Sequence, residues 1–154
     1  MLQRLQSIFL LLALISMAAL FSDSLPFVSV FGDESNLLNT SQTILDDGVF
    51  DISDHILLIA LVCISVLLSF VSIFLFKNRP LQIKLSRINL VLTALLFILS
   101  IFLFYQAYDS LAQGAEVSIE YGYVNPFLTI LFLVLAIRYI ARDEKLVRSS
   151  DRLR

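Results

Sequence analysis

Tyr121-Gly-Tyr-Val-Asn-Pro126, an apolar run from Phe127 to Ile137, and then Arg138-Tyr-Ile-Ala-Arg-Asp-Glu-Lys-Leu-Val-Arg-Ser-Ser-Asp-Arg-Leu-Arg154 close the chain. Tyrosines stand at one end of the run and a dense mixed-charge tail at the other. In a bilayer, tyrosines gather at the water interface and arginines on the cytoplasmic side, so this stretch predicts a spanning helix with a direction. Pro126 falls in the first turn, where its missing N–H is no loss. A span is expected over about 124–140 and a cytoplasmic tail over 141–154.

The rest of the composition agrees with that reading. The 154 residues are 58% hydrophobic with a mean hydropathy of +0.89, above the usual soluble range and typical of a membrane protein. A net charge of −2 with no dominant basic face excludes a nucleic-acid partner. The single cysteine, Cys63, forms no intrachain disulfide, and its place inside an apolar run predicts burial rather than a reactive thiol.

Working outward to the N-terminus, Ile8–Phe21 is apolar but shorter than the roughly 20 residues a span needs. Leu2 and Leu5, with Arg4 snorkelling to the headgroups, extend it to a span over about 5–22. A cleaved signal peptide is the competing reading, with Ser16-Met-Ala18 as the cleavage motif. The apolar run continues past Ala18 through Leu20 and Phe21, which favours the uncleaved span.

An outer loop over 23–54 carries Asp23, Asp33, Glu34, Asp46, Asp47, Asp51 and Asp54 and no Lys or Arg. Phe27–Phe31 and Gly48–Ile52 read as short strands, and Ser35–Leu45 as a helical turn or two. The acids read as a solvated loop; a hard-cation site is the sharper alternative, although their spacing matches no calcium loop. The next span, about 56–76, is uncharged. Ser65, Ser69 and Ser72 fall on one helix face, which predicts a packing seam, with a polar permeation path as the alternative. His55, at the mouth of this span, has no second ligand for a transition metal nearby.

Lys77, Arg79, Lys84 and Arg87 make the connector over 77–87 a cytoplasmic loop. The third span, about 88–107, places Asn89 and Thr93 near that end and Tyr105 and Tyr108 at the other, with Asn89 expected to bond a neighbouring helix. A second acidic loop over 109–123 follows. Its Val117–Tyr121 segment alternates like a strand able to pair with Phe27–Phe31 or with Val49–Ile52.

All 11 basic residues therefore avoid the two acidic loops. That asymmetry places both termini on the cytoplasmic side and both acidic loops outside. The fold class this predicts is an all-α membrane protein, a four-transmembrane-helix bundle with a small extracytoplasmic, β-containing cap.

No Asp, Glu, His or Lys lies in the middle of a span, so the groups a proton relay or ion-coupled carrier needs are missing. One His, one Cys and scattered Ser supply no nucleophile and base at recognisable spacing, and the glycines stand singly, without a phosphate loop. Neither an enzyme nor a cofactor or metal is expected. In the tail, Arg138, Arg142, Lys145 and Arg152 share one helical face with Ser149, while Asp143, Glu144 and Asp151 lie on the other. This reads either as a solvated helical extension, with Glu144 and Arg148 paired, or as a basic side that docks on headgroups or on a partner. Arg138, the deepest charge, either snorkels or holds a lipid phosphate or a buried carboxylate.

Met1-Leu-Gln-Arg-Leu-Gln-Ser-Ile8, Phe76-Lys-Asn-Arg-Pro-Leu-Gln-Ile-Lys-Leu85 and Asp143-Glu-Lys-Leu-Val-Arg-Ser-Ser-Asp-Arg-Leu-Arg154 resemble an uncharacterised bacterial family, found mainly in Bacteroidetes. Its members are small four-span integral membrane proteins grouped as a domain of unknown function. The resemblance covers the whole chain and implies the uncleaved, four-span reading; it implies no activity or site residues.

The expected function is that of a non-enzymatic interaction or scaffold protein of the inner membrane. Its docking surface would comprise Arg79, Lys84, Arg87, Arg138, Arg142, Lys145, Arg148 and Arg152. Its partners would be the lipid bilayer and a cytoplasmic or membrane protein, or a second copy of the chain in a homo-oligomer. The rival is an oligomeric small-solute or ion-permeating protein using Ser65, Ser69, Ser72, Asn89 and Thr93.

Overall fold

The computed structural model describes residues 2–22, 24–31, 49–108 and 116–151. The elements run α1 (Leu2–Ala18), β1 (Val28–Phe31), β2 (Val49–Phe50), α2 (Ile56–Phe74), α3 (Arg79–Tyr108), β3 (Glu116–Ile119) and α4 (Val124–Asp151). The turn expected over Ser35–Leu45, the acids Asp23, Asp33, Glu34, Asp46, Asp47 and Asp109, and Arg152 lie outside the described residues.

Among the described residues, three helical stretches are long and apolar enough to cross a membrane: Ile56–Phe74, Arg79–Tyr108 and Tyr121–Val147. The apolar helix Gln6–Phe21 is shorter. It ends in a 3-10 turn, Ala19–Phe21, where Ser22 turns to extended backbone and donates its N–H to the Ala19 carbonyl at 3.0 Å.

The basic connector is largely helical. After a 3-10 turn at Leu75–Lys77, the Asn78 carbonyl accepts from the N–H groups of Leu81 at 3.1 Å and Gln82 at 3.0 Å, so α3 starts at Arg79. Pro80 sits in that first turn, where no intrahelical donor is required. The segment read as a cytoplasmic loop over 77–87 is thus mostly the opening of α3. Similarly, α4 does not stop at residue 140 but carries the charged tail as helix to Asp151.

Each of the four helices packs on two others: α1 on α2 and α4, and α3 on α2 and α4. Leu10 and Ala13 of α1 meet Leu133 and Ala136 of α4, with Ile73 and Leu90 alongside. The two alanines let these helices approach closely. Near the other end, the Ser16 hydroxyl donates to the Asn125 carbonyl at 2.9 Å, stitching α1 to the start of α4.

A small antiparallel sheet covers that end in the order β2-β1-β3. The two candidate partners expected for Val117–Tyr121 resolve into one three-stranded arrangement, with β1 in the middle. Val28 lies opposite both Phe50 and Ile119, and Ser29 opposite both Val49 and Ser118. Val28 and Val30 are buried, as alternation requires. Phe27 continues the pairing beyond the strand, taking an N–H bond to Phe50 O at 2.8 Å and returning its carbonyl to Glu120 N at 3.0 Å. Aromatic rings fasten the sheet to the helices: Phe27 lies 4.9 Å from Tyr123 and Phe50 lies 5.7 Å from Phe104, centroid to centroid.

The distribution of polarity is inverted relative to a soluble protein. Ser65, Ser69, Gln82, Ser86, Asn89, Thr93 and Ser100 are fully buried. Leu67, Phe74, Val91, Ile98 and Phe127 are each at least 60% exposed. Apolar patches on this scale need an apolar surrounding, and small polar residues facing inward let helices approach and bond to one another. Cys63 follows the same logic. The expected burial does not hold: the thiol is exposed on α2 beside exposed Ile64 and Leu67, on a face apolar enough for lipid to cover.

Candidate functional site

Two arrangements concentrate the polar chemistry of the helices. The first is the seam between α2 and α3. Ser65, Ser69 and Ser72 recur at helical spacing on α2, and Asn89 and Thr93 on α3. The structure brings all five to this seam, each at most 1% exposed. Asn89 Nδ2 donates to Ser69 Oγ at 2.7 Å. The Thr93 hydroxyl donates back to the Asn89 carbonyl at 2.9 Å, so at its 3.4 Å contact with Ser65 it accepts. Interhelical bonds of this kind contribute about 1 kcal/mol or less each in a membrane.

Gln82 extends the seam beyond the residues picked from sequence. Its Nε2 donates to the Ser72 carbonyl at 2.9 Å, serving one of the carbonyls left open at the end of α2. Gln82, Ser86, Asn89 and Thr93 in fact form one repeat at four- and three-residue spacing. In sequence, the basic charges around the first two mark a loop rather than a helix face.

The second arrangement is the basic end. Arg79, at the start of α3, does not stand free: its Nη2 lies 3.1 Å from Asp143 Oδ2, and Nη1 donates to the Asp143 carbonyl at 3.3 Å. The 3.1 Å contact is an ion pair rather than an aligned hydrogen bond, since Oδ2 gains no hydrogen-bond partner from it. Both side chains are less than 20% exposed. Asp143 thus faces α3. Lys84 and Arg87 on α3, and Arg138, Arg142 and Lys145 on α4, are all exposed. Exposure at Arg138 fits snorkelling. The side chain of Arg148 is not among those described.

At the far end, a recess of about 380 Å³ lies between sheet and helices, lined by Val28, Phe97, Ile101, Phe104, Ile119 and Tyr123. Just before α2, Asp51 Oδ1 accepts from Ser53 N at 2.6 Å and Asp54 Oδ2 from Asp51 N at 2.7 Å, so these acids order their own turn. Among the described residues no group of His, Cys, Asp and Glu is arranged to hold a metal ion.

Mostly helical, apolar outside and polar inside, with three helices among the described residues long and apolar enough to cross a bilayer and a three-stranded sheet at one end, this chain is built as a membrane protein. Residues 2–153 match the family described as a domain of unknown function, DUF4293, and the chain belongs to that family. Among curated proteins and solved structures nothing matches.

Proposed function

We propose that this chain is a four-span protein of a bacterial inner membrane, with both termini in the cytoplasm, acting as a non-enzymatic interaction protein. Helix α1 with its 3-10 turn runs roughly 30 Å at 1.5 Å per residue, close to the thickness of a bilayer core. Its burial against α2 and α4 supports counting it as the fourth span.

The observation that carries the docking reading is the set of exposed cations at one end. Lys84, Arg87, Arg142 and Lys145 project from two helices that the Arg79–Asp143 pair ties together. Such a surface suits an acidic face of a cytoplasmic or membrane protein partner, and the adjoining anionic headgroups would add attraction. The rival permeation reading, through Ser65, Ser69, Ser72, Asn89 and Thr93, is less favoured, because the Ser65, Ser69 and Thr93 hydroxyls and Asn89 Nδ2 are bonded across or along the seam.

Charge reversal of Lys84, Arg87, Arg142 and Lys145 together is expected to abolish co-purification of a partner from native membranes, with the protein still inserted at normal abundance. Unchanged recovery of that partner sinks the docking reading.

A further inference from the structure

One buried layer is not accounted for by the seam's own bonds. Gln6 of α1 is 1% exposed, Ser72 of α2 equally so, and Gln82, Ser86 and Asn89 of α3 are fully buried. Both side-chain polar atoms of Gln6, Oε1 of Gln82, Oδ1 of Asn89 and the Oγ atoms of Ser72 and Ser86 have no hydrogen-bond partner. Gln82, Ser86 and Asn89 lie along one face of α3 at four- and three-residue spacing, and Gln82 reaches the end of α2 through its bond to the Ser72 carbonyl. Ile73 and Leu90 pack against the cluster that holds Leu10; Gln6 stands one turn before Leu10, and Asn89 next to Leu90.

Left dry, every one of these atoms would keep its desolvation penalty with nothing in return. The chemistry of the set indicates what satisfies it. Three amide oxygens only accept, the Gln6 amide nitrogen only donates, and the two hydroxyls do either. The occupant must therefore donate more than it accepts while still accepting from Gln6. A cation fits poorly, because among these unpartnered groups there is no carboxylate to balance it and the Gln6 N–H groups would face it.

We propose that this layer is a built hydration site: a small cluster of ordered water bridging α1, α2 and α3 through Gln6, Ser72, Gln82, Ser86 and Asn89. A buried water typically makes about three hydrogen bonds, so a cluster rather than one molecule covers these groups. The site is independent of the docking surface and stands whether or not a partner binds there.

The test uses the full chain in lipid nanodiscs with isotope-labelled glutamine and asparagine side chains. Magnetisation transfer from water to the Gln6 and Gln82 amides is the expected result, with Gln6→Leu assigning the Gln6 signal by its loss. No transfer in the unsubstituted protein overturns the proposal. So does a shift of these resonances on exchanging sodium for potassium without water transfer, which would assign the layer to a cation. Thermal unfolding reads the same question by sign. In a hydrated layer Gln6→Leu strands its neighbours' waters and lowers the melting temperature. In a dry layer it removes unpaired polar atoms and raises it, which would also overturn the proposal.

Discussion

At Gly122 the absent side chain is what matters. A Cβ there would lie 2.3 Å from the Pro26 carbonyl oxygen and 2.6 Å from its carbon, both backbone atoms with no rotamer to yield. The Gly122 N–H meanwhile donates to that oxygen at 2.8 Å, so the approach is a bonded one. Gly122→Ala should destabilise by about 1–3 kcal/mol, as overpacking does. Thermal unfolding in detergent reads it, and an unchanged melting temperature would show that the approach is not needed. Asn89 gives the complementary case, where a side chain is present and used. Asn89→Ala should cost about 1 kcal/mol. In a double-mutant cycle with Ser69→Ala the two losses should be less than additive, because they break one bond; full additivity would mean the contact contributes nothing.

Between elements, the Arg79–Asp143 pair latches the opening of α3 to the end of α4. Its half-hidden position puts it between an exposed pair, at about 1 kcal/mol or less, and a buried one, where loss of one partner costs about 3 kcal/mol or more. Arg79→Ala or Asp143→Ala should therefore loosen the tail, seen as faster proteolysis after Ile140. The exchange Arg79→Asp with Asp143→Arg should restore protection; if it does not, charge pairing is not what holds the tail. Much at this scale is legible in the sequence. Strand alternation exposes β1, β2 and β3, and the serine repeat exposes the seam. The choice of strand partner is not legible, because β1 uses both of its edges and periodicity says nothing about neighbours. Nor is the start of α3: hydropathy marks where lipid ends, whereas the helix continues through charged residues whose Gln82 and Ser86 point inward. Charge counting likewise treats Arg79 and Lys84 alike, although one is paired and the other exposed. Cys63 misleads for a related reason, since a lipid-covered position and a buried one have the same composition.

For the molecule as a whole, the inverted polarity decides the setting and the basic residues propose the direction. A single cysteine at Ser53 (Ser53→Cys) and one at Lys145 (Lys145→Cys), each in a Cys63→Ala background, separate the two sides. A membrane-impermeant maleimide applied to intact cells should label the first and spare the second; the opposite pattern would invert the proposed topology. The stitch between Ser16 and Asn125 also has a temporal meaning. The first helix finds its largest contact surface on the last one, and β1 cannot complete its pairing until β3 has been made. During synthesis α1 is therefore made well before the helix it packs on most, and until Tyr121 and the residues after it are added, both that helix face and the β3 edge of β1 are without their partners.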